Sequence, residues 1–299
     1  MNRIVTTELA GGLGNQLFRY AAGRALALRG GARLRLDVAH FKFDHTYGRV
    51  YQLDKFSLPK DVVCVETYTT KLGFYFNRLK DRIGQRTQLC WPGHLREYPG
   101  TRVDRRCLLF KEGCLQPLRR KAVYLQGYWQ SPQYFADCAD TIRKDLTISA
   151  PHASVKIEEA RTINSKTDSV CVGIRKYAEV PAHKQGYHRV QTLDYYQAGI
   201  QLILETCPDA HFFITSDDPA WVEANLTLEA PHTYLTMIPG DENSYEDLWT
   251  MSQCRHFIIS NSSYHWWGAW LAEKDGKTVI APKDGFKNRD IYPSEWITL

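Results

Sequence analysis

The sequence predicts an α/β protein of two doubly wound domains, each a parallel sheet flanked by helices, facing a central cleft. Three observations carry that expectation. The chain opens on a strand, a glycine turn and a helix; the same rhythm restarts after a polar stretch near its middle; and 299 residues, 43% of them hydrophobic, suit two ordinary cores better than one very large one. The expected division is 1–150 and 151–299.

Ile4 to Leu9 is a short, β-branched run, followed by Gly11-Gly12-Leu13-Gly14-Asn15 and then by Leu17, Ala21, Ala25 and Leu28 at helical spacing. Gly30-Gly31 breaks the chain before Leu34-Arg35-Leu36-Asp37, which alternates as a second strand, so this segment opens a βαβ unit. From about Lys71 to Lys121, Arg and Lys mix with aromatics without a sustained period, and irregular helices and loops around an acceptor face are expected. Val123 to Trp129 and a helical stretch near Phe135 follow, and the polar segment Ile148 to Asp168, with Pro151 in it, is expected to be a linker. Beyond it, strands are expected at Val170–Ile174, His211–Thr215, Phe257–Ile259 and Thr278–Ala281, with helices at 193–205, 219–224, 245–252 and 263–272.

The formal charge of +5 is too mild for duplex nucleic acid and suits a small anionic ligand such as a nucleotide diphosphate. Eight cysteines without a C-x-x-C pair show neither a zinc ribbon nor a redox motif, so reduced thiols are expected. The N-terminus has no long apolar run, and no stretch reaches the roughly 18 apolar residues of a membrane span. A cytoplasmic protein is expected, with peripheral membrane contact at most.

Four stretches carry candidate chemistry. The turn at Gly11, Gly12 and Gly14 lets backbone approach a ligand, and the helix start after it favours negative charge. Leu17 stands where a dinucleotide fingerprint needs its third glycine, and no Gly-Lys-Ser/Thr follows, which weakens an oxidoreductase reading. A tight turn capped by Asn15 explains the spacing equally well; the amides of Asn15 and Gln16 favour sugar hydroxyls. Arg175, with Lys176 beside it and Glu179 four residues on, follows a strand where doubly wound sheets present ligand contacts. A guanidinium fits a diphosphate bidentately and neutralises a leaving group without a metal, whereas a solvated charge cluster is the bland alternative. Ser216-Asp217-Asp218 follows the next strand, where capping of a helix from Pro219 by Ser216 or Asp217, or recognition of a base edge, outweighs metal ligation. Asn261-Ser262-Ser263 ends a further strand and opens a helix, offering hydroxyls and N–H groups to phosphate, while Trp266 and Trp270, one turn apart, read as core.

Together these stretches resemble glycosyltransferase family 11, the α-1,2-fucosyltransferases. The resemblance is carried, in family order, by Gly11 to Phe18, Phe212 to Asp218, Asp247 to Ser252, Ser260 to Ser263 with Trp266 to Trp270, and Asp290 to Trp296. It implies a GT-B-type fold of two Rossmann-like domains and a GDP-fucose donor held mainly by the C-terminal one. It also implies metal-independent, inverting transfer of fucose to the 2-hydroxyl of a galactose residue in a glycan, with no cofactor. Within that resemblance Arg175 stabilises the departing diphosphate and Glu179 is the candidate base, with His183, His188 and Asp37 as alternatives. The donor set is Gly12, Gly14, Asn15, Arg175, Lys176, Ser216, Asp217, Asn261, Ser262 and Ser263; the acceptor set is Asn15, Gln16 and Asp37; no residue is assigned to a metal. The chain departs from the family's His-x-Arg-Arg-x-Asp signature, reading Gly173-Ile174-Arg175-Lys176-Tyr177-Ala178, so that Gly173 stands for the histidine and Ala178 for the aspartate. Transfer of another GDP-linked deoxysugar such as colitose, and non-catalytic binding of a GDP-sugar or glycan, are the rival readings.

Overall fold

A computed structural model describes residues 3–45, 47–68, 70–76, 122–177, 190–286 and 289–299. The chain forms two compact units, Met1–Ser149 with Lys287–Ile291, and Ala150–Phe286 with Tyr292–Leu299.

The first unit contains β1 (Arg3–Glu8), α1 (Leu13–Gly30), β2 (Ala32–Asp37), α2 (Ala39–Phe43), β3 (Val63–Val65), β4 (Ala122–Leu125) and α3 (Ala139–Asp145). Its strands pair in parallel in the order β3-β2-β1-β4. Helix α1 lies tight on this sheet because its small residues permit it: a Cβ on Gly23 would sit 3.0 Å from that of Thr7. The helix ends at Gly31, whose φ of 55° is the left-handed value that lets its N–H close onto the carbonyls of Ala27 and Leu28. Asp145 of α3 ties in by accepting from the Tyr20 hydroxyl at 2.7 Å and from Arg24 Nε at 2.8 Å.

The second unit contains α4 (Ser154–Asn164), β5 (Ser169–Ile174), α5 (Leu193–Thr206), β6 (His211–Ser216), α6 (Pro219–Asn225), β7 (His232–Tyr234), α7 (Ser244–Ser252), β8 (His256–Ile259), α8 (Ser263–Leu271), β9 (Val279–Ala281) and β10 (Ile297–Thr298). All its pairings are parallel, in the order β10-β9-β8-β5-β6-β7. Every residue of β5 is buried, as expected of a central parallel strand covered on both faces. Val170, Val172, Ile174, Phe212, Ile214 and Ile258 pack against Tyr196, Ile200 and Ile203 of α5 to form the core. Strand order reverses between β5 and β8, the point at which open α/β sheets bind ligands beyond their carboxyl ends.

The strands expected at 170–174, 211–215, 257–259 and 278–281 are β5, β6, β8 and β9, and the four helices expected between them are α5 to α8. The short elements α2, β3, β7 and β10 were not anticipated, since two to five residues carry too little periodicity. The boundary between the units falls at Ser149–Ala150, inside the segment expected to be a linker, but most of Ile148 to Asp168 is not linker. Its polar residues form α4, whose buried stripe is Lys156, Ala160 and Ile163. A lysine reads as solvated in sequence, yet this one is fully buried; it is paired with Glu159 at 2.8 Å and Asp247 at 2.7 Å and also bonded to the Thr236 carbonyl. The expectation for Lys71 to Lys121 falls, from residue 77 on, outside the described residues. Cys64, Cys138, Cys171, Cys207 and Cys254 are free thiols, and no helix among the described residues is long and apolar enough to cross a membrane.

Burial pushes the Asp247 carboxyl upward and Lys156 pulls it back, so the pair is stable only while both members remain. Lys156→Met strands a buried carboxylate and should cost about 3–5 kcal/mol in urea unfolding, with Lys156→Met/Asp247→Asn recovering part of that loss.

Candidate functional site

The candidate site is built at the carboxyl ends of β5, β6 and β8. Beyond β5, Arg175 pairs through Nη1 with Asp217 Oδ2 at 3.0 Å, and the Lys176 N–H donates to Asp217 Oδ1 at 2.7 Å. One carboxylate at the end of β6 therefore fixes both the guanidinium and the backbone that carries it. Tyr177 follows with a φ of 57°, a conformation unusual for a residue with a side chain and retained only where the surroundings enforce it. The enforcing contacts are visible: the Tyr177 hydroxyl donates to the Asn261 carbonyl at 3.2 Å, and the Arg175 guanidinium lies 5.0 Å from the Tyr177 ring centroid. The turn after β5 is thus laced to the turn after β8. Lys176 Nζ rests 3.3 Å above the Trp221 ring.

The second carboxylate has a different task. Asp218 caps α6 by accepting from the Trp221 N–H at 3.2 Å, with Pro219 in the first turn, and its own N–H donates to Ser216 Oγ at 3.0 Å. The cap expected at Ser216 or Asp217 is instead Asp218, because Asp217 is committed to Arg175 and the Lys176 N–H. Elsewhere in this unit Asp168, Cys207 and His256 lie within ligand reach of one another, at the amino-terminal edge of the sheet and away from Arg175. There His256 Nδ1 accepts from the Thr278 N–H at 3.2 Å, which places the ring proton on Nε2 facing Asp168, so that nitrogen has no lone pair for a metal.

At the end of β8, Ser262 caps α8, accepting from the Tyr264 N–H at 3.3 Å, and Ser263 begins the helix. Asn261 is buried, and its side-chain carbonyl has no hydrogen-bond partner among the described residues. An unmet buried acceptor costs stability unless a ligand or water meets it. His265, also buried, shares a hydrogen bond between Nδ1 and Ser260 Oγ at 2.8 Å. Burial chiefly, and then the neighbouring Arg175, lower its pKa from 6.5 to about 3, with Asp217 opposing. The ring is neutral near pH 7, and the positive charge at this edge comes from Arg175 and Lys176.

The remaining predicted residues lie in the first unit. Gly11, with φ 80°, makes the turn that only glycine adopts readily, Gly12 is the N-cap of α1, and Gly14 is buried in its first turn. Asn15 accepts from Gln130 Nε2 at 2.9 Å. Gln16 is fully buried and acts as a clamp: Nε2 donates to the carbonyls of Gly11 and Val50 at 3.0 and 2.8 Å, and Oε1 accepts from the Gln52 N–H at 3.1 Å. Its amide is fully engaged by backbone, contrary to the sugar-binding role expected of it. Asp37 is likewise committed, accepting from the N–H groups of Ala39 and Thr67 and from the Tyr124 hydroxyl at 2.7 Å. Burial, with Glu8 and Asp37 close by, pushes the Tyr124 phenol well up and keeps it the donor. Glu179, His183 and His188 lie outside the described residues.

Sequence reasoning missed Tyr177, Trp221, His265 and Arg49, whose guanidinium lies 3.6 Å from where a Gly12 Cβ would be.

Two parallel α/β units, one of them with an arginine and a helix start at its switch point, are the two Rossmann-like domains of a GT-B-type fold. Residues 107–299 match the model of Glycosyl transferase family 11, and the chain belongs to that family. It is similar to an α-1,2-colitosyltransferase of Escherichia coli, 27% identical over 305 residues and 99% of each chain. A second Escherichia coli relative, the O-antigen biosynthesis glycosyltransferase WbnK, is 32% identical over 139 residues, 46% of this chain and 45% of its own length. Among solved structures, NodZ α-1,6-fucosyltransferase from Bradyrhizobium, soaked with GDP-fucose, superposes with a TM-score of 0.52 at 10% identity, covering 91% of this chain and 93% of its own. Arabidopsis thaliana FUT1, in complex with GDP, gives 0.53 at 10% identity, over 94% of this chain and 70% of that one.

A buried histidine whose folded pKa lies below its unfolded value binds its proton first in the unfolded state, so stability is full above about pH 6.5 and declines as pH falls. His265→Asn should make the acid side of the stability profile shallower than the wild-type slope, by up to about 1.4 kcal/mol per pH unit, in urea unfolding at pH 7.5, 6 and 5.

Proposed function

We propose that the chain transfers fucose from GDP-fucose to the 2-hydroxyl of a galactose residue in a glycan, with inversion and without a metal ion or other cofactor. The carrying observation is the switch point of the second unit, where Arg175, the unmet carbonyl of Asn261 and the start of α8 converge on the ends of β5 and β8. An arginine beside a helix start is suited to a diphosphate, which accepts bidentate N–H bonds and the partial positive charge of the helix terminus. In this reading the acceptor oxygen attacks the anomeric carbon opposite the diphosphate, the bond from that carbon to the phosphate oxygen breaks, and GDP leaves with its charge stabilised by Arg175. Asp217 orients the guanidinium, Ser262 and Ser263 open the phosphate-facing helix, and Glu179 takes the acceptor proton.

A second reading, in which the donor carries colitose, is favoured by the full-length similarity to a colitosyltransferase. The relative named for O-antigen biosynthesis supports a bacterial surface-glycan pathway, with a cytoplasmic enzyme at the inner face of the membrane.

The test is GDP release from GDP-fucose and from GDP-colitose, with lactose or N-acetyllactosamine as acceptor and excess chelator. Acceptor-dependent release with one donor is expected, falling on the order of 10²-fold or more in Arg175→Ala. Tight GDP binding with no release from any donor would leave a non-catalytic binder. Near-normal turnover in a folded E179Q protein would remove Glu179 from the mechanism.

A further inference from the structure

Gly173 interrupts an otherwise side-chain-rich central strand, one pair of residues before Arg175. Its backbone does not require glycine, since its φ is not among the positive ones. Glycine inside a strand weakens it and marks a place where something approaches closely. What approaches is the imidazole of His265 from α8: a Cβ on Gly173 would lie 2.7 Å from both Cγ and Nδ1 of that ring and 3.0 Å from Cε1, well inside the 3.5–4.0 Å at which carbon atoms pack. The same ring is held by Ser260 Oγ, and the Ser260 N–H in turn donates to the Gly173 carbonyl at 3.0 Å. The ends of β5 and β8 and the first turn of α8 therefore close on one another through Gly173, Ser260 and His265.

We propose that His265 is a positioning residue: its ring occupies the side-chain space of position 173 and thereby sets the Arg175 turn against the Ser262-Ser263 helix start. Positions 173 and 265 form a size-coupled pair that shares room for one imidazole. The role rests on the reading of Arg175 as the diphosphate ligand.

The experiment compares wild type with Gly173→Ala, His265→Ser, His265→Asn and the exchange Gly173→His/His265→Ser, by calorimetric GDP affinity, kcat and KM, and thermal unfolding. Gly173→Ala drives a methyl into the ring, and His265→Ser empties the space. Each should lower kcat on the order of 10- to 100-fold through misplacement of Arg175, with GDP affinity falling as well. The exchange variant, which returns one imidazole to the shared space, should exceed both single variants in kcat and GDP affinity. His265→Asn, which keeps a hydrogen-bonding group in place of Nδ1, should exceed His265→Ser. Unchanged kcat and GDP affinity in a folded His265→Ser protein, or losses in the exchange variant that simply add, would overturn the proposal while leaving the donor reading intact. Failure of the wild type to bind GDP would instead overturn the donor reading, and the positioning role with it.

Discussion

Reversal of strand order between β5 and β8 is the constraint on which the candidate site depends. It sends the chain to opposite sides at adjacent strand ends, so the turns after β5 and β8 are free to carry polar groups instead of crossing one another. Such a crevice would be loose without cross-ties, and Asp217 and Tyr177 supply them. Asp217, from the third strand end, holds the Arg175 side chain and the Lys176 N–H together, while Tyr177 reaches across to the Asn261 carbonyl. The left-handed backbone of Tyr177 is the cost of that reach, of order 1–3 kcal/mol for a non-glycine residue, tolerated because the ring lies against Arg175 and the hydroxyl is bonded.

The first unit has the same architecture but uses its polar residues differently. Its strand order also reverses, between β1 and β4, beside the glycine turn. Yet Gln16 and Asp37 are absorbed by backbone N–H and carbonyl groups of the surrounding segments. A polar residue beside a glycine turn serves either a ligand or the turn itself, and burial decides which. Asn15, by contrast, is half-buried and bonded to the Gln130 side chain, and Arg49 lies beside Gly12.

The second unit was legible in sequence because its strands are continuous β-branched and aromatic runs that alternate with helical spacing. Arg175, Asp217 and the Ser262 turn could be placed for the same reason, since a strand end locates whatever follows it. Helix α4 was not legible: its inward stripe begins with Lys156, and only the carboxylates of Glu159 and Asp247, the latter 91 residues away in sequence, make that burial possible. His265 escaped for a related reason. Ser260, just past the end of β8, is only five residues away, but Gly173 lies on β5, 92 residues upstream, and no local spacing announces that contact.

The replacement of the signature's second arginine by Lys176 has a physical consequence at this edge. Lysine is a compact cation without arginine's planar fork, and here its backbone N–H is taken by Asp217 while its ammonium sits on the Trp221 face. For Lys176 to reach a phosphate it must leave that ring and give up a cation–π attraction worth about 0.5–2 kcal/mol. Arg175 needs no such departure, because Asp217 holds its side chain at the switch point itself. A neutral His265 nearby adds no competing charge. In the proposed reading, bidentate stabilisation of the leaving diphosphate therefore falls to Arg175, whose guanidinium is positioned by Asp217, Tyr177 and the His265–Gly173 contact.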